Sequence, residues 1–266
     1  MPLRPRSSVE LLDDGVRLVR RDVVPVVVAA ALASVPGSIG LAYLTRDDLT
    51  GLGEIVDPEV EAGGSDGVEQ WQAIGLQVAA GSLSLLVVAA VVAHLTATRR
   101  ADPTAPVSWW PLARRAPTLL AAWVLVHLVQ LLGVLTLGVI TVAALVWFVP
   151  VTPIVVIEGV GPVAALRRAH ALTRRRWWSV AGHVLLVALL TVVLGTAIAT
   201  VPDELSLAFL GEGAWIGSAA GAVLAGIVTT SVVAGATVAL YLDLCVRREG
   251  LDLADRLASA TREIAA

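Results

Sequence analysis

Two polar side chains interrupt the apolar stretch AAWVLVHLVQLLG, His127 and Gln130, three residues apart. On a helix that spacing puts both on adjacent parts of one face. An imidazole and an amide placed there can hydrogen-bond a neighbouring helix or line a path for a polar solute. A second set pairs carboxylates with arginines: Glu158 and Asp243 close apolar runs, with Arg167, Arg168, Arg247 and Arg248 nearby in sequence, and Asp22 opens another run. Charge near lipid is costly unless paired or raised into the headgroups, so Glu158, Asp243, Arg247 and Arg248 are expected as structural ion-pair or capping residues. The third set is Arg167, Arg168, Arg174, Arg175 and Arg176, followed at once by Trp177 and Trp178. Guanidinium groups fork onto phosphate oxygens and indoles settle at headgroup depth, so this set would suit an anionic lipid.

Other chemistries lack their residues. The four histidines include no H-E-x-x-H pair, and Cys245 is the single cysteine, which excludes an intrachain disulfide and a multi-cysteine metal site. There is no phosphate-binding Gly-rich loop, dinucleotide fingerprint or nucleophile elbow, and no concentrated acid/base set. Accordingly no catalytic residue, metal or cofactor is assigned, and the reading leans away from an enzyme. Nucleic acid is not an expected partner, because the positive charge tracks the ends of apolar runs and forms no extended basic tail.

The elements that must position these residues are set by composition. Of 266 residues 57% are apolar and only 15% charged, with mean hydropathy +0.82, which fits helices solvated by lipid. Apolar runs of about 20 residues or more, the length that crosses the hydrocarbon layer, fall at 23–44, 72–96, 118–135, 137–157, 178–200 and 215–245. The third and fourth are divided only around Gly133 to Gly138. Residues 118–157 therefore make either two full crossings or a re-entrant pair. Six crossings put both termini on one side, and every arginine except Arg46 then falls on that side. The opposite side carries the acidic loop with Asp47, Asp48, Glu54, Asp57, Glu59, Glu61, Asp66 and Glu69. By the positive-inside rule both termini are cytoplasmic.

The expected organisation is an amphipathic cytosolic segment 1–22, a six-helix transmembrane domain 23–245 and a cytosolic C-terminal helix 246–266. The domain includes the outer loop 46–71 and cytosolic linkers 97–117 and 158–177. Within the second linker, Gly161 and Pro162 start an interfacial helix on which Val163, Leu166, His170 and Thr173 recur at helical spacing. Pro150 and Pro153 are expected to kink the fourth span. Gly217-x-x-x-Gly221 in the last span permits close helix contact.

The segment from Glu158 to Trp178, EGVGPVAALRRAHALTRRRWW, resembles the hallmark of the bacterial glycerophosphoryl diester phosphodiesterase membrane domain family. The stretch from Leu240 to Leu253, LYLDLCVRREGLDL, resembles that family's last helix and cytosolic exit. Together the resemblance covers most of the chain and implies a six-span membrane domain without the catalytic barrel, in a bacterial plasma membrane. Ala169 stands where the family often has Ser, and Arg175 where it often has Gly. The resemblance supplies no catalytic residues. The whole therefore reads as an all-α polytopic membrane bundle acting as a non-enzymatic scaffold or accessory protein. Its partners would be membrane lipids, anionic phospholipid among them, a protein partner or a second copy of the chain. The alternative is a transporter or channel with its path near His127 and Gln130.

Overall fold

The computed structural model describes residues 7–44, 67–136, 138–210 and 214–249. Most of the acidic outer loop and most of the C-terminal segment 246–266 lie outside the described residues. The described chain is helical with no strand: α1 (Ser8–Arg21), α2 (Val23–Leu44), α3 (Gly67–Ala101), α4 (Trp110–Val134), α5 (Val139–Trp147), the short α6 (Val151–Pro153) running into a π-helical turn (Ile154–Glu158), α7 (Pro162–Thr173), a 3₁₀ turn (Arg174–Arg176), α8 (Trp177–Leu210) and α9 (Ala214–Glu249).

Among the described residues, five stretches are long and apolar enough to cross a membrane, and the bent pair Val139–Trp147 with Val151–Glu158 makes a sixth when counted as one span. Large apolar side chains point outward along them. On α8, Leu185, Leu189, Val192 and Val193 are 58% to 70% exposed, a surface that lipid covers and water would not. The protein is an all-α polytopic membrane helical bundle.

The chain divides into two compact units, one of residues 1–23, 89–188 and 232–266 and the other of residues 24–88 and 189–231. The first holds α1, whose start is fixed by a capping box: the Ser7 amide donates to Glu10 Oε2 at 2.9 Å and the Glu10 amide donates to Ser7 Oγ at 3.3 Å. α1 lies backbone to backbone against α9. A Cβ at Gly15 would stand 2.6 Å from the Ala236 nitrogen, and one at Gly235 would meet Gly15. Small residues allow that crossing and nothing larger does.

In the same unit α4 turns back into α5 through Gly138, whose φ of 78° lies in the left-handed region that glycine enters without strain. The division expected around Gly133 to Gly138 falls at this turn. The helix after it breaks at Phe148 to Pro150 and bends by about 40°. A proline supplies no amide to the helical ladder, and both Pro150 and Pro153 are buried at this break.

Of the four residues at helical spacing on α7, Thr173 is buried against the protein and Val163 faces outward. Ala165, Ala169, Leu172 and Thr173 are buried while Val163 is 51% exposed. The reason is steric: α7 packs on α4 and on the broken helix, and alanines permit that approach where Val163 and Leu166 would hold the backbones apart.

In the second unit α8 and α9 pack closely through the Gly217–Gly221 pair. A Cβ at Gly217 would meet Ser206 and the Pro202 carbonyl, and one at Gly221 would lie 2.7 Å from the Ala199 carbonyl oxygen. The small-residue motif is thus used within the chain.

Candidate functional site

At the arginine-rich end of the first unit, Glu158 closes the π-helical turn and Gly159 comes next at φ 71°. Arg168, ten residues on in α7, donates through Nε to both carboxylate oxygens of Glu158 at 3.2 and 3.1 Å. The hydroxyl of buried Tyr241, on α9, donates to Glu158 Oε1 at 3.0 Å. One carboxylate therefore ties the broken helix, α7 and α9 together, and its charge is met by a cation and a phenol. Arg115 adds a long contact from Nη1 to the Val155 carbonyl, 3.5 Å.

The other charged groups of this unit are fixed in the same manner. Arg247 donates to Asp243 Oδ2 at 2.6 Å, one turn away on α9. Arg99 donates through Nε and Nη2 to Asp22 Oδ1, at 3.3 and 3.2 Å. Its Nη1 also donates to the Pro103 and Ala105 carbonyls at 3.2 and 3.1 Å. That single guanidinium joins the α1–α2 corner to the connection after α3. In this connection the Thr104 amide and hydroxyl both donate to Asp102 Oδ1 at 2.8 Å, and these bonds hold the Asp102 carboxyl below its ordinary value.

Arg167, Arg174, Arg175 and Arg176 are exposed, and no ion pair to them occurs among the described residues. The last three form the 3₁₀ turn at the head of α8. Trp178, packed edge to face on Trp177 at 4.7 Å, is 83% exposed beside them. Trp110, at the head of α4, is 70% exposed, while Trp109 stacks on His94, which bonds the Ser108 carbonyl. Arg248 is exposed as well. The arginine and tryptophan set thus splits by environment: Arg168 is committed to Glu158, Trp177 is half-buried with its Nε1 inside, and Arg167, Arg174, Arg175, Arg176 and Trp178 face outward.

His127 and Gln130 are half-buried on α4. The His127 Nδ1–H donates to the Trp123 carbonyl at 2.8 Å and its ring stacks on Trp123 at 4.3 Å. The backbone carbonyl of Gln130 accepts from Thr141 Oγ1 at 2.8 Å, bracing the α4–α5 turn. These bonds are local.

The second unit contains a cavity of about 680 Å³, within the range typical of small-molecule sites. It is lined from all four helix segments of that unit and includes neither His127 nor Gln130. Its sequence signal is a small or polar residue at each turn: Ser34 and Ser38 on α2, Ala80 and Ser84 on α3, Thr196, Thr200 and Asp203 on α8, and Ser218, Ala222, Gly226 and Thr230 on α9. Read one at a time inside apolar runs, such residues pass for ordinary helix packing.

No group of three or more histidine, cysteine or carboxylate side chains able to hold an ion occurs among the described residues. Comparison of the chain with protein-family models, with curated proteins and with solved structures finds no match.

Proposed function

We propose that this is a non-enzymatic accessory protein of a bacterial plasma membrane, with both termini cytoplasmic, whose arginine-rich face holds anionic phospholipid headgroups. The observation that carries the reading is the 3₁₀ turn Arg174–Arg176: three adjacent exposed guanidinium groups, next to an exposed Trp178, at the head of a membrane-crossing helix. A phosphate approached by such groups gains bidentate charge-assisted hydrogen bonds, and the indole anchors the same depth. The arginine asymmetry of the loops supports the cytoplasmic orientation, since positive loops are retained inside. The resemblance of Glu158–Trp178 to the glycerophosphoryl diester phosphodiesterase membrane domain family agrees with a membrane module that carries no catalysis of its own. A protein partner or a second copy of the chain docking on this face is the accessory part of the same reading.

The test is lipid selection. The full chain, released from nanodiscs of mixed phosphatidylglycerol and phosphatidylcholine and weighed intact, is expected to retain phosphatidylglycerol. Equal retention of the two lipids would overturn the reading.

A further inference from the structure

We infer that the cavity of the second unit is a binding site for a small organic primary ammonium ion. The site is independent of the lipid reading, being made of different residues. Three features of the lining select the ligand.

The first is charge. Asp203 is the single ionisable side chain of the lining, and no arginine, lysine or histidine accompanies it. Its Oδ1 accepts from Ser218, which orients the carboxylate and leaves it further acceptor capacity. A lone carboxylate among membrane helices attracts a cation and disfavours an anion.

The second is the direction of the hydroxyl protons. Thr196 donates to the Val192 carbonyl at 2.9 Å, Thr200 to the Thr196 carbonyl at 2.7 Å, Thr229 to the Ala225 carbonyl at 2.7 Å, and Ser84 to the Ala33 and Ala80 carbonyls at 2.8 and 2.9 Å. A hydroxyl whose proton is given to a backbone carbonyl still offers oxygen lone pairs. The lining is therefore rich in acceptors and favours a donor-rich guest, which a primary ammonium with three N–H groups is. Ser34 adds a further oxygen with free lone pairs: its Oγ is buried, packs at the Gly226 backbone, and has no partner among the described residues.

The third is the lack of aromatic rings in the lining. Quaternary ammonium groups have no N–H and are recognised by aromatic faces. The cavity should thus discriminate against them.

The test uses the purified full chain in phosphatidylcholine nanodiscs and isothermal titration with n-butylammonium and, separately, tetramethylammonium. Saturable binding of n-butylammonium is expected, with tetramethylammonium at least tenfold weaker. Asp203→Asn, which keeps the side-chain shape and an oxygen for Ser218, is expected to weaken n-butylammonium at least tenfold. Ala222→Leu, which fills the cavity from α9, is expected to do the same while Asp203 is retained. Both variants are checked for a melting temperature close to that of the parent. No saturable binding, equal binding of the two ammonium ions, or affinity unchanged in Ala222→Leu would each overturn the inference. Should Asp203→Asn fail to fold, the Ala222→Leu and tetramethylammonium comparisons decide the matter.

Discussion

Glu158 and Arg168 form a two-point ion pair, one nitrogen, Arg168 Nε, lying 3.2 and 3.1 Å from the two carboxylate oxygens. It joins the end of a broken helix to the middle of the next one. Neither partner is sealed off, since Arg168 is 32% and Glu158 23% exposed, and screening reduces what the pair contributes.

Glu158→Gln is expected to destabilise the protein by about 1–2 kcal/mol, a charge-assisted bond discounted for exposure. Arg168→Gln should cost a similar amount. In a double-mutant cycle by thermal unfolding in detergent the two effects should be markedly non-additive. Simple addition would mean that the pair is not coupled.

Tyr241→Phe removes the second donor to Glu158 and leaves the ring. The expected loss is about 1 kcal/mol in the wild-type background. In Glu158→Leu it should shrink, because the carboxylate oxygen that receives the hydroxyl is gone and only the contact with Cys245 remains. Melting temperatures of the four proteins decide this.

At the α1–α9 crossing, Gly235→Val forces side-chain volume into the Gly15 backbone. Overpacking of this type costs about 1–3 kcal/mol, and α1 can relieve it by undocking. Hydrogen exchange should therefore rise selectively over Ser8–Arg21, where α1 is, while α4 keeps its protection. Unchanged exchange in α1 would show that the crossing tolerates bulk.

Exchange of Arg174, Arg175 and Arg176 together for Gln is expected to lower phosphatidylglycerol retention at least fivefold and leave the melting temperature in phosphatidylcholine nearly unchanged, because these side chains are exposed and unpaired among the described residues. Arg168→Gln should show the opposite balance, with stability lost and lipid selection kept. A reversed outcome would move the phosphate contact onto α7.

Asp102 titrates below the ordinary carboxylate because Thr104 bonds its ionised form. A depressed folded-state value stabilises the fold above the unfolded-state value, and that contribution is lost as pH falls through the folded one. Thr104→Ala should shift the Asp102 carboxyl upward in a carbon-detected NMR titration. No shift would exclude the Thr104 hydroxyl as a cause and leave the Thr104 amide, whose bond the variant keeps.

The crossing pattern was legible because it rests on composition and length. The apolar runs, the division at Gly138 and the break at Pro150 all arise from residues whose backbone constraints are local. Glu158 could be marked as needing a cation on the same grounds, but Tyr241 lies 83 residues away and no spacing rule links the two. The buried face of α7 sets Ala165 and Ala169 beside Leu172 and Thr173, because close approach of backbones, a tertiary demand, selects small residues at the crossing. His127 stands out in the sequence as a polar side chain in an apolar run, yet its bond is satisfied within its own helix. The cavity leaves only a faint mark in the sequence because its polarity is divided among four helix segments, each still apolar enough to cross a membrane.

The π-helical turn Ile154–Glu158 has an outcome for the history of the chain. A wide turn accommodates one residue more than an α-helical turn and leaves the downstream residues rotated by roughly 100°. Loss of any one of residues 154–157 would restore a regular helix and swing Glu158 away from both of its donors. Insertions and deletions should therefore be tolerated in lineages at the acidic loop far more readily than at this short apolar segment, whose length carries meaning that its residue types do not.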